Sequence, residues 1–287
     1  MNFIKYRLIS FILSGLLILA SIYGLARFGL VLGVDFTGGS LVEVLSEENK
    51  DQLKKELEEA DLVVDQIQET SSGSLLIRLE GAWQEKDDLL SFFENRGVQV
   101  LRFETVGPTF GQELFKKALI AIGLTIVLIL AFIAWRFSDF NFGLAAVTAM
   151  IHDNLVLLGA FSFLGQFWLA PVDSLFITAA LTTLATSVYD TVVTFGYIRD
   201  QLKQSFSSTN IEEAANEAIN GTVVRNINNS WTIIFMLTAI LLLGGETVRW
   251  FAAALLIGTI LGTYSSTFLA VPLLVVWQKA KAKKKKR

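Results

Sequence analysis

Between Leu8 and Leu30 the chain reads LISFILSGLLILASIYGLARFGL, a run whose single charged residue is Arg27. At about 1.5 Å per helical residue, such a run reaches across the roughly 30 Å of hydrocarbon in a bilayer. Five further apolar runs have the same reach: Phe115 to Trp135, Phe142 to Leu164, Asp173 to Ile198, Val223 to Leu243 and Trp250 to Trp277. With 53% hydrophobic and 18% charged residues and a mean hydropathy of +0.53, the chain carries more apolar surface than one soluble core encloses. Six membrane spans follow. The first run comes after Lys5 and Arg7, as in a signal peptide, but it is too long for one and has no small-residue cleavage site before Val34. It reads as a retained helix. The chain has no cysteine, so a disulfide frame and a thiolate metal site are both ruled out.

Lysine and arginine collect in the cytoplasmic loops of membrane proteins. Lys5 and Arg7 at one end, and Lys279, Lys281, Lys283, Lys284, Lys285, Lys286 and Arg287 at the other, predict that both termini lie inside. Residues 36 to 112 then fall outside. They carry a net charge of −9 against −3 for the whole chain, which leaves +6 on the remainder. The basic tail reads as a solvated anchor of orientation in preference to a site for acidic lipid or RNA. The organisation expected is a first helix over 1–30, an external domain over 31–112, a five-helix bundle over 113–277 and a basic tail over 278–287.

Within the external segment, Leu41 to Leu45 alternates as a strand does, Asn49 to Ala60 has the spacing of an amphipathic helix, and Val63 to Glu69 alternates again. Ser71-Ser72-Gly73 marks a turn into a strand over Leu75 to Leu79. Glu85 to Asn95 predicts a second helix ended by Gly97, and Val98 to Glu104 a last strand. The β-α-β-β-α-β order is that of a ferredoxin-like sandwich. Its residue pattern holds no catalytic or metal constellation, so it reads as a contact module.

An ionisable residue inside an apolar helix costs about 2.5 to 3.5 kcal/mol on insertion scales, and so faces a partner or a water path. Asp190 lies about 25 Å along its helix from Asp173, and Arg225 about 28 Å from Gly244, which puts both at similar depth toward the inner side on consecutive helices. A guanidinium favours the ionised carboxylate while burial opposes it, so a carboxyl group held between the two can load and release a proton. A fixed structural ion pair, or an arginine that only snorkels to the inner headgroups, fits the same spacing. His152 and Asp153 are adjacent on the third helix and offer an extension of a relay, or else a histidine satisfied locally. Pointing about 100° apart, they cannot both face one partner. Asp173 marks a water border or caps the fourth helix.

Just past the first run, Val34-Asp35-Phe36-Thr37-Gly38-Gly39 resembles the opening motif of the SecD and SecF proteins. The likeness continues, in the family's order, through Val106-Gly107-Pro108, His152-Asp153, Ser187-Val188-Tyr189-Asp190-Thr191-Val192-Val193, Ile198-Arg199-Asp200, Gly244-Gly245 and Gly262-Thr263-Tyr264-Ser265-Ser266. On these residues the chain is identified as a member of the SecF-type branch of that family. The resemblance implies an α-helical membrane protein with six transmembrane helices, an RND-type half, carrying one small ferredoxin-like α/β extracytoplasmic domain. It also implies a function that is not enzymatic: using the proton motive force, together with SecD, to promote translocation of preproteins through the SecYEG channel.

The site residues implied are Asp190 and Arg225 for the proton pathway, with His152 and Asp153 beside them, and Asp35, Phe36, Thr37, Gly38 and Gly39 for the family motif. Implied partners are SecD, the SecYEG channel on which SecA also acts, YajC, the translocating preproteins and the lipid of the bacterial inner membrane. No cofactor, metal or nucleic acid is implied. The chain departs from the family pattern at Tyr189, at Phe195-Gly196-Tyr197, and at Asn226, Asn229 and Trp231. An RND-type exporter of small molecules or lipids would share the fold and proton chemistry but should carry larger external domains. A scaffold without transport would not need Asp190. The absence of a G-x-x-x-x-G-K-[ST] stretch removes support for an ATPase.

Overall fold

The structure is a computed structural model and describes residues 2–45, 50–60, 62–70, 73–80, 86–204 and 210–285. The chain divides into two compact units, one of Val31–Ile120 with Pro171–Ser174, the other of Met1–Leu30, Ala121–Ala170 and Leu175–Arg287.

The first unit opens with a single helical turn, α2 (Val34–Thr37), and continues as β1 (Gly39–Leu45), α3 (Lys50–Glu59), β2 (Val64–Glu69), β3 (Leu75–Leu79), α4 (Lys86–Glu94) and β4 (Gln99–Val106). All strand pairings are antiparallel, in the order β2-β3-β1-β4. That is the ferredoxin-like arrangement expected, with element ends within two residues of the expectation. Of the expected Ser71-Ser72-Gly73 turn, only Gly73 lies within the described residues, with φ of +80°. Alternation explains the core. Val42 and Val44 of β1, Ile77 and Leu79 of β3, Leu53 and Leu57 of α3, and Leu89 and Phe93 of α4 are buried together, the helical pairs four residues apart on one face.

The second unit holds the membrane helices: α1 (Arg7–Phe28), α5 (Pro108–Phe137, which starts in the first unit), α6 (Phe140–Trp168), α7 (Ser174–Gln204), α8 (Ile211–Leu243), α9 (Glu246–Ser265) and α10 (Val271–Lys285). Among the described residues six stretches are long and apolar enough to span a bilayer, the last combining α9 and α10. Leu8, Leu16 and Leu19 of α1, and Ile120, Val127 and Trp135 of α5, are exposed, a surface suited to hydrocarbon and not to water. Much of α6 is buried. The close approach of α1 to α6 needs Gly159, where an added Cβ would meet the Ser21 side chain at 2.3 Å.

Two features of this unit lie outside the sequence reading. The helix that carries Arg225 begins well before the apolar run expected from Val223, because α8 starts at Ile211, capped by Asn210. The last span is also interrupted, by a π-turn over Ser266–Ala270. Pro272 supplies the reason, since it has no N–H for the Phe268 carbonyl and its ring crowds that position.

At one end of the bundle, Glu212 in the first turn of α8 accepts from Arg7 and pairs with Lys279, both at 2.6 Å. Asp139, between α5 and α6, accepts from Gln278 at 2.7 Å and Lys281 at 3.2 Å. The two chain ends are thus held at the same end of the helix bundle.

Candidate proton site

One face of α7 carries a polar seam of buried residues: Thr183, Ser187, Asp190, Thr191 and Thr194. Their three- and four-residue spacing keeps them on one side of the helix. Several hydroxyls are satisfied within the helix, with Thr191 donating to the Ser187 carbonyl at 2.9 Å and Thr194 to that of Asp190 at 3.0 Å. Across the seam α9 presents Gly258 opposite Thr183 and Gly262 opposite Ser187. Thr194 meets Thr222 of α8 at 3.2 Å.

Asp190 is 7% exposed, and its carboxylate makes no hydrogen bond or ion pair among the described residues. Arg225 is exposed on α8, close enough to act on Asp190 electrostatically but outside ion-pair distance. The spacing left a fixed ion pair open as a reading; among the described residues no ion pair joins Asp190 to Arg225. One residue further along α8, Asn226 is buried with its amide nitrogen unpartnered among the described residues. It lines a cleft of about 300 Å³ with Ser230, Trp231, Thr263 and Tyr264.

His152 and Asp153 form a second polar group, and the structure brings them to α7. His152 Nδ1 is 3.0 Å from Asp153 Oδ1, so one of its two ring nitrogens is paired with its neighbour. Asp153 Oδ2 accepts from Ser187 of α7 at 2.9 Å and from Ser265 of α9 at 2.5 Å. One buried carboxylate therefore ties α6, α7 and α9, one helical turn from Asp190. Neither serine was singled out from sequence for this role, although both lie in stretches that carry the family resemblance. Hydroxyls spaced on one face of an otherwise apolar helix were the signal available.

The motif residues Asp35 to Gly39 are assembled in the other unit. Asp35 Oδ2 accepts from the Ser174 backbone N–H at 3.0 Å and from its hydroxyl. Asp35 thus accepts from the N–H of the first residue of α7, next in sequence to Asp173. Phe36 is buried against Phe115, ring centroids 5.5 Å apart. Thr37 donates to the carbonyls of Gly33 and Gly38. Gly38 has φ of +76°, and an added Cβ there would stand 2.7 Å from Pro108 Cα. Gly39, with φ of +113°, opens β1 and is buried.

Comparison with known proteins identifies the family. A family profile described as the C-terminal region of the protein export membrane protein SecD/SecF matches residues 87–280, and the SecD/SecF GG motif matches residues 23–49. The chain belongs to the SecD/SecF family. Relatives of this SecD/SecF chain include the protein translocase subunit SecF of Anaerolinea thermophila, 36% identical over 292 residues, covering 97% of this chain and 94% of that one. The subunit of the same name from Thermobaculum terrenum is 34% identical, covering 96% and 94%. These relatives are named as subunits of a transport machine, and the expectation of a protein that is not an enzyme stands with them. Among solved structures, SecDF from a Thermus species, described as a translocon-associated membrane protein, superposes with a TM-score of 0.84 at 29% identity, covering 97% of this chain. A second SecDF structure, in a super-membrane-facing form, gives 0.72 at 30% identity, covering all of this chain. The chain spans 39% and 40% of those two chains.

Proposed function

We propose that this chain is the SecF-type half of a SecD–SecF export motor in the bacterial inner membrane, with both termini cytoplasmic, and that Asp190 is its proton-loading group. The observation that carries this reading is the Asp190 carboxylate itself, buried on a helix apolar enough to span a bilayer, with no hydrogen bond among the described residues and with Arg225 held off at a distance. A buried charge with a fixed partner is a structural element, whereas one without a partner needs water or a proton. Loading neutralises the carboxylate. Release restores an anion that attracts the guanidinium, so α7 and α8 have a different balance of attraction in the two states. His152 and Asp153 lie beside this step and hold the α7 seam in register through Ser187. The proton gradient would thereby drive a movement that, with SecD, promotes passage of preproteins through SecYEG, the channel that SecA also serves.

The uncovered face of α7 and α8 agrees with a partner half. Thr182, Thr186 and Tyr189 of α7, and Arg225, Asn228 and Asn229 of α8, are exposed, and small or polar residues suit helix packing better than lipid. The test is reconstitution of the channel with this chain alone, with its SecD, and with both. Gradient-stimulated export is expected only with both. Full stimulation by this chain alone would overturn the reading.

A further inference from the structure

Asp35, Ser174 and their neighbours form a joint that the proton step leaves unexplained. Val31 accepts from the Val172 N–H at 2.7 Å, Gly33 donates to the Val172 carbonyl at 2.8 Å, and Leu32 and Val172 pair as an isolated parallel bridge. Gly33 has no room for a side chain, because a Cβ would stand 2.7 Å from that of Asp173. Arg78, next to the end of β3, donates to the Leu32 carbonyl at 2.9 Å. Burial lowers its guanidinium from the ordinary value, while Asp65 and Asp173 oppose that shift. On the other side of the same turn, an added Cβ at Gly111 would stand 3.0 Å from the Phe36 carbonyl oxygen. The turn thus gathers the chain leaving α1, the start of β1, the first residues of α5 and the segment entering α7. Asp35 is the side chain that closes it, holding both the N–H and the hydroxyl of Ser174. Ser174 is the first residue of the helix that carries Asp190.

We propose that Asp35 is a positioning residue that keeps the first turn of α7 fastened to the base of the external sheet, so that a displacement of α7 is delivered to that sheet. The proposal rests on the proton reading of Asp190, and it depends on hydrogen-bond acceptance and not on charge. An aspartate and an asparagine both accept from a helix N-terminus; an alanine does not. Without the bond, Ser174 loses its clasp while the Val31–Val172 and Gly33–Val172 backbone bonds remain, and the coupling of the proton step to export is weakened.

The test uses the full chain with its SecD partner and the channel in vesicles, with membrane levels checked. Asp35→Ala should lose gradient-stimulated export by on the order of tenfold, within the usual range of coupling between sites. Asp35→Asn should keep most of it, and Ser174→Ala, which retains the backbone N–H, should fall between them. The pH dependence of carbodiimide labelling at Asp190 should stay as in the unsubstituted chain in all three, which a general structural fault would not allow. Normal export by Asp35→Ala, loss by Asp35→Asn equal to that of Asp35→Ala, or altered labelling at Asp190 would each overturn the proposal. Asp190→Asn run in parallel separates the two ideas, since normal export by that variant defeats the proton reading whatever happens at Asp35.

Discussion

His152 Nδ1 lies 3.0 Å from Asp153 Oδ1, and the other ring nitrogen of His152 is buried without a partner among the described residues. A neutral ring paired with an ionised carboxylate, which only accepts, carries its proton on Nδ1 and leaves Nε2 bare. Because the chain has one histidine, labelling histidine with ¹⁵N gives a spectrum of this ring alone. In lipid at neutral pH the shifts should report a protonated Nδ1 and an unprotonated Nε2. A proton on Nε2 with a bare Nδ1 would contradict the pairing.

Asp139 allows a prediction about acid. Burial pushes its carboxyl up, but bonds from Gln278, the Asn141 N–H and Lys281, together with the Lys281 charge, outweigh it and hold the group below the ordinary carboxylate range. A depressed folded-state value means that the unfolded chain takes up the proton first. The stabilisation is complete above the ordinary carboxylate range and is lost as pH falls through the depressed value. Asp139→Asn keeps an acceptor for the first turn of α6 but loses the charge facing Lys281. It should melt at lower temperature than the parent at neutral pH, and the difference should close in acid. A difference that widened in acid would reverse the sign.

Close helix approach in the bundle depends on particular glycines. A Cβ added at Gly159 would meet Ser21, and one added at Gly258 would meet Thr183, both at 2.3 Å, whereas Gly15 and Gly123 have open space around them. Overpacking of this kind costs about 1 to 3 kcal/mol. Gly159→Ala and Gly258→Ala should lower the amount of folded protein in the membrane and its melting temperature. Gly15→Ala and Gly123→Ala should change neither. Equal behaviour of all four would contradict the packing described.

The architecture was legible where a local pattern carries it. Six apolar runs between polar borders specify spans, and pairs such as Leu53 with Leu57 mark helical faces against alternating strands such as β1. The α7 seam was half legible, since Asp190 stands out against an apolar run while Ser187 looks like any tolerated hydroxyl. What joined them was out of reach. The bonds of Asp153 to Ser187 and Ser265, and of Asp35 to Ser174, link positions 34, 112 and 139 residues apart, and periodicity carries no information over such distances. The π-turn before Pro272 was concealed for another reason: proline signals a disturbed helix without saying how the backbone absorbs it.

The proton assignment is tested most directly at Asp190, because a titrating carboxylate and a neutral amide of nearly the same volume differ in one property. Asp190→Asn can still hydrogen-bond but cannot exchange a proton. Arg225→Ala removes the cation and Arg225→Lys retains it without the planar fork, so loss and partial retention are expected respectively. The deciding measurement is the gradient-dependent part of preprotein translocation into vesicles carrying Asp190→Asn together with SecD and the channel, at matched membrane levels. Translocation without the gradient should be unchanged, and its stimulation by the gradient should disappear. Stimulation equal to that of the unsubstituted chain would contradict the role of Asp190 as the proton-loading group.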